Sequence, residues 1–196
     1  ATNLRECPGL VTFSLAADPI ELVVERLATG GEAVGRLPDG RVVFVAGALP
    51  GETVQIELTE QKKRFARAVT TAVIEPSAER VVPACGHARD GSCGGCDWMH
   101  VDARYQVEAK RKIVVEQLER LGGLAAPVVS VRATPRGGRT TVRCSVVEGR
   151  AGFRTRRSDR SFVAQSCQAA HPLVEELMVE GRFGDATEVT LRLGVA

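Results

Sequence analysis

The chain has 196 residues, 44% of them hydrophobic and 26% charged, with a formal net charge of +2. That length gives one or two domains with a real core, and the composition excludes a disordered or fibrous chain. No apolar run approaches the roughly 18 residues of a membrane span, and residues 1–18 lack the basic start and apolar stretch of a secretion signal, so a cytoplasmic location is expected.

Residues 1–18 show no clean period and read as a tail, with Cys7 an incidental thiol. From Pro19 to Pro76 short apolar stretches alternate with turns at Gly30-Gly31, Pro38-Asp39-Gly40 and Leu49-Pro50-Gly51. Strands are predicted near 20–27, 32–37, 41–46, 53–60 and 64–74. Five short antiparallel strands in so little chain fit a small closed barrel of the OB type. The Gly30-Gly31-x-x-x-Gly35 run leads into a strand rather than a helix, so it is a turn and not a phosphate loop.

Residues 77–101 are loop-like and hold three cysteines. A helix is predicted from Asp102, its N-cap, to about 122, where Gly122-Gly123 stops it. Val107, Val114, Leu118 and Leu121 form its apolar stripe, with Lys110, Arg111 and Lys112 on the wet side. Beyond it come strands near 128–133, 140–148, 150–155 and 160–164, a helix near 172–180, and a strand at 188–195. In that last strand Val189, Leu191, Leu193 and Val195 share a face with nothing after it to cover them, which reads as a piece of a longer protein. The predicted class is mainly β, α+β: a barrel over 19–76 and an α+β region over 77–196.

The cysteines carry the chemistry. Cys85, Cys93 and Cys96 stand in C-x7-C-x2-C spacing, and Gly94-Gly95 lets the backbone fold tightly and offer amides to sulfur. Three close thiols and one distant one suit a cubane iron–sulfur cluster. Cys144, in a strand, reads as a small core residue; Cys167, in a loop, is the preferred fourth ligand. A closed zinc site of Cys85, His87, Cys93 and Cys96 is the rival. His100 and His171 read as surface or capping residues.

Positive charge is segregated. Between Arg132 and Arg160 nine arginines face only Glu148 and Asp159, and Lys62, Lys63, Arg64 and Arg67 lie between the last two barrel strands. Arginine forks suit phosphate, so Arg139, Arg143, Arg154, Arg156, Arg157 and Arg160, with the lysine-rich turn, are the candidate contacts to nucleic acid. Arg139, Arg143 and Arg154 have a structural alternative, since they alternate along strands.

In this order the motifs resemble the bacterial RNA uracil-5-methyltransferases, which use S-adenosylmethionine. The residues that carry the resemblance are Gly30-Gly-Glu-Ala-Val-Gly-Arg36, Phe44-Val-Ala-Gly-Ala-Leu-Pro-Gly-Glu52, Glu75-Pro-Ser77, Pro83 to Cys96, Gly152-Phe-Arg154, Arg156-Arg-Ser158 and Cys167 followed by His171-Pro172. The resemblance spans about 19–196 and departs from the family in two places. Seven residues separate the first two cysteines where five are usual, and Ala33 replaces the third glycine. It implies a TRAM barrel, then an iron–sulfur domain with a 4Fe-4S cluster on Cys85, Cys93, Cys96 and Cys167, and RNA as partner. It also implies a Rossmann-like catalytic domain beyond residue 196, contacted by the helix at 102–122, that holds S-adenosylmethionine, a nucleophilic cysteine and a base. There a thiolate would attack C6 of a flipped-out uracil, C5 would take the methyl group, and a base would remove the C5 proton. Neither Asp-Pro-Pro-Arg nor Ser-Cys-Asn-Pro occurs in these 196 residues, so neither Cys144 nor Cys167 is assigned as nucleophile and these residues alone are expected to be inactive. The C-x3-C-x2-C of radical enzymes is absent too. The alternative is a stand-alone RNA-binding module with structural zinc; an iron–sulfur redox protein is a third, weaker reading.

Overall fold

The structure is a computed structural model that describes residues 19–134, 136–156 and 158–194. The expectations for residues 1–18, Cys7 among them, and for Arg157 and Val195 lie outside the described residues.

Six strands form the first sheet: β1 (Ile20–Val23), β2 (Arg26–Leu27), β3 (Ala33–Arg36), β4 (Val42–Ala46), β5 (Thr53–Gln61) and β6 (Phe65–Glu75). Their order is β1-β5-β6-β4-β3-β2. The two ends of that order, β1 and β2, are neighbours in the chain, so the sheet curls into a barrel. The single strand predicted at 20–27 is split because it changes partner. Val24 donates to the Glu52 carbonyl at 2.9 Å, and Glu25 donates to Val34 on the other side at 2.8 Å. The all-antiparallel expectation needs correction as well: β4 and β6 run parallel. With the split strand counted once, five strands close a ring, and an odd ring cannot alternate direction throughout. Val43, Val45, Val54, Ala66 and Ala68 fill the interior and are fully buried.

One buried charge sits at the barrel's edge. Glu52 is fully buried; its carboxylate accepts from Leu49 N–H at 2.8 Å, Ser77 N–H at 3.2 Å and Arg80 Nη2 at 2.7 Å. Burial alone would raise its carboxyl, but these donors outweigh burial and hold it below the ordinary value. The pair fastens the turn before β5 to the segment leaving the barrel.

The rest comprises α1 (Gly86–Arg89), α2 (Ala103–Arg120), β7 (Thr141–Val147), β8 (Arg150–Arg154), β9 (Ser161–Val163), α3 (Pro172–Glu180) and β10 (Glu188–Arg192). The second sheet is antiparallel in the order β10-β7-β8-β9. Val142, Cys144, Ala151, Ala164, Val174, Met178 and Leu191 form its core. Cys144 is thus the core residue expected. Gly152 lets β8 and β9 close up: a Cβ there would lie 1.9 Å from the Phe162 carbonyl oxygen.

Three expectations fail here. The strand predicted at 128–133 is coil, with Val128 fully exposed and no partner strand beside it among the described residues. Helix α2 is capped by Asp102 as predicted, its carboxylate accepting from Arg104 N–H at 2.8 Å and Tyr105 N–H at 3.3 Å. Yet the face against the barrel is Tyr105-Ala109-Ile113, while Val114 and Leu121 remain 42% and 81% exposed. The small Ala109 admits closer approach than the larger stripe. Finally, His171 caps α3 as expected, but His100 is no surface residue. Burial, then the charge of Arg80, pushes its imidazole down to about 4, and its Nε2 is buried without a hydrogen-bond partner.

Candidate metal centre

Cys85 precedes α1, whose turn brings His87 and then Cys93 back toward it: Cys93 N–H donates to the His87 carbonyl at 3.1 Å. The glycine pair acts as its spacing suggests, Gly95 N–H lying 3.4 Å from Cys93 Sγ. Cys167 comes from the far side, between β9 and α3. Its N–H donates to Glu175 Oε1 in the first turn of α3 at 2.7 Å, which fixes the loop. No spacing rule pointed to Glu175; an acidic residue in a helix's first turn was the only signal.

Cys85, Cys93, Cys96 and Cys167 line one cavity, closed on its apolar sides by Met99 and Phe153. All four are free thiols. Burial pushes the Cys93 and Cys96 thiols up; the neighbouring cysteines add to the rise, and Arg139 works against it. A soft cation would displace those protons on binding.

Among the described residues no group of three or more His, Cys, Asp or Glu side chains is arranged to hold a single metal ion. One zinc ion draws its thiolates to about 2.3 Å, whereas a cubane takes one thiolate on each of four irons and holds them further apart. The four thiols lining the cavity are the donors that either group would use. His87, the zinc rival's fourth ligand, has both nitrogens engaged. Its Nε2 accepts from Gln165 N–H at 3.3 Å and its Nδ1 lies 3.3 Å from Ser92 Oγ. Its ring leans on Phe162 with centroids 4.9 Å apart.

The candidate phosphate contacts divide in two. Arg143 pairs with Glu188, Arg154 with Asp159 at 3.6 Å, and Arg156 with Asp97. Arg67 pairs with Glu32 and lies over the Phe44 ring, and Lys62 pairs with Glu60 at 3.1 Å. Lys63, Arg64, Arg139 and Arg160 make no ion pair among the described residues; Arg157 lies outside them. Counting charge along the chain missed Asp97, Glu188 and Glu32, which the fold brings in from a distance.

Residues 19–71 match the TRAM domain family. An uncharacterized RNA methyltransferase of Streptomyces coelicolor is 36% identical over 185 residues, which cover 86% of this chain and 40% of that protein. A 23S rRNA (uracil(1939)-C(5))-methyltransferase, RlmD, of Halomonas elongata is 40% identical over 164 residues, covering 81% of this chain and 34% of its own length. Among solved structures, the Pyrococcus abyssi tRNA (uracil-54, C5)-methyltransferase in complex with S-adenosyl-L-homocysteine shares the fold. Its TM-score is 0.56 at 21% identity, over 88% of this chain and 42% of that one. The chain thus spans less than half the length of these relatives.

Proposed function

Because the chain belongs to the RNA uracil-C5 methyltransferase family, we propose that these residues are the RNA-gripping part of a cytoplasmic, S-adenosylmethionine-dependent enzyme that makes 5-methyluridine. The observation that carries this is the meeting of four thiols from two distant stretches in a chain whose relatives are RNA methyltransferases. Cys85, Cys93, Cys96 and Cys167 hold a 4Fe-4S cluster, which supplies a rigid cross-link between loops. The barrel turn with Lys63 and Arg64, together with Arg139 and Arg160, meets the phosphates.

The methyl-transfer step belongs, in this reading, to the C-terminal domain that the motifs implied. The described thiols do not supply a nucleophile. Cys144 is 1% exposed with its thiol pushed up to about 11, and the other four face the cavity.

Anaerobic purification followed by iron, sulfide and visible-absorption analysis tests the centre. A brown protein with about four irons and four sulfides is expected; a colourless, zinc-loaded one overturns the cluster. Incubated with S-adenosylmethionine and a 23S rRNA fragment, this chain is expected to bind the RNA in a salt-sensitive way without methylating it. Turnover would overturn the assignment of the transfer step, and absence of RNA binding would overturn the grip.

A further inference from the structure

A groove of about 860 Å³ runs beside the thiol cavity and shares Cys96 with it. Its floor is the face of α2 that carries Val107 and Val114, one end is the barrel turn at Gly31, and its far wall is formed by residues 131–134 and 136–139. Trp98 stands in it, held by an Nε1–H bond to the Gly31 carbonyl at 2.9 Å. Gly31 is required there: its φ is +85°, and a Cβ would lie 2.5 Å from the indole nitrogen. Lys110 Nζ sits 5.8 Å from the centre of the indole ring.

The charge on this groove is unlike that on the second sheet. Lys110, Arg132, Arg136 and Arg139 all line it, and none makes an ion pair among the described residues. Its one carboxylate, Asp97, is taken by Arg156. The coil holds its arginines in place through backbone bonds, Gly137 N–H to the Gln168 carbonyl and Arg139 N–H to the Ala169 carbonyl, both at 3.0 Å. A row of unneutralised cations above an apolar floor with a fixed aromatic ring matches a strand that alternates phosphates with flat bases. A protein partner with an apolar face would leave those cations desolvated and unpaired.

We propose that this groove binds a single-stranded segment of RNA, with Arg132, Arg136 and Arg139 on successive phosphates and a base lodged against Trp98 and Lys110. The inference rests on the RNA-binding reading above and places its principal contact away from the paired arginines of the second sheet.

Trp98 is the only tryptophan in the chain, so its emission reports on the groove alone. Labelled oligouridine of about twelve nucleotides is titrated into the chain, with Trp98 emission and label anisotropy read together. A saturable emission change with the same Kd as the anisotropy is expected. Arg132→Gln with Arg136→Gln should weaken binding at least tenfold and lower the log–log salt slope by about 1.4, at about 0.7 per phosphate of a single strand. The pair Lys63→Gln and Arg64→Gln, at the barrel turn, should leave the emission change in place. Anisotropic binding without an emission change, weakened only by the barrel-turn pair, overturns the groove and leaves the RNA-binding reading standing. No binding in any arm overturns both. Tighter binding by an oligoglutamate of equal charge marks the groove as a site for an acidic protein and overturns the proposal.

Discussion

The barrel and the cysteine-bearing region are held together by different means. The barrel closes on itself and fills its interior with valine, isoleucine and alanine side chains that are almost wholly out of water. The second region has an open four-stranded sheet with a small core, and the loops that carry its thiols add almost nothing to that core. No residue from 83 to 100 is fully buried, and α1 buries none. Where apolar burial is this thin, order has to come from bonds of another kind, and the proposed cluster would be such a bond.

The sharpest way to break this contrast is Cys167→Ser. If the proposed 4Fe-4S cluster is there, this change is expected to abolish its absorbance and to destabilise the second region by more than about 4 kcal/mol. The barrel's own unfolding transition should stay in place. Thermal unfolding followed by visible absorbance and by far-UV circular dichroism separates the two. A single shared transition that falls as one unit would mean that the barrel, too, depends on the centre.

Arg80→Met probes the barrel from its border. It leaves Glu52 buried without its cation, and losing one partner of a buried pair costs about 3–5 kcal/mol. Urea unfolding should show that loss in the barrel, while iron content is unchanged. A loss of iron instead would show that the Glu52–Arg80 clamp serves the cysteine loops more than the barrel.

The two regions also differ in how far the sequence foretold them. Barrel strands were legible because turn glycines and two-residue alternation are local signals, and four of the five predicted strands stand within a few residues of their places. The split at Val24 and the parallel β4–β6 pair were not, since both follow from ring closure, a property of the whole sheet. In the second region the thiol spacing and the role of Cys144 were legible. The pairing of Arg143, Arg154 and Arg156 with carboxylates was not, because two of those partners lie 45 and 59 residues away along the chain. The stripe on α2 misled for a related reason. Hydrophobic spacing shows that a helix has an apolar side, and close packing against the barrel then selected the face with the smaller residue.

His100 sits between the regions and makes their junction sensitive to acid. Its imidazole is held down to about 4, and Arg80, Glu52 and Arg156 are the charged groups that act on it. A histidine whose folded pKa lies below its ordinary value favours the fold when neutral. That contribution is complete above about pH 6.5 and is lost as pH falls toward 4, an effect of up to about 3 kcal/mol. Glu52, also held below its ordinary value, works in the same direction at still lower pH. Stability measured by urea unfolding from pH 7 to pH 4 should therefore fall, and His100→Gln should flatten the upper part of that slope. An unchanged slope in the variant would place the acid sensitivity elsewhere.

The smallest effect tests to which region α2 answers. Asp102 caps the helix, and an N-cap of this kind contributes about 1 kcal/mol. Ala109 belongs to the barrel's core and Arg26 of β2 reaches Glu116 at 3.6 Å, so the helix follows the barrel although it comes after the cysteines in sequence. Asp102→Ala should then lower the barrel's transition by about 1 kcal/mol and leave the visible spectrum and its melting untouched. If the spectrum's melting shifts and the barrel's does not, the helix is anchored by Trp98 and the cysteine loop, and the boundary between the two regions lies at residue 77 rather than beyond α2.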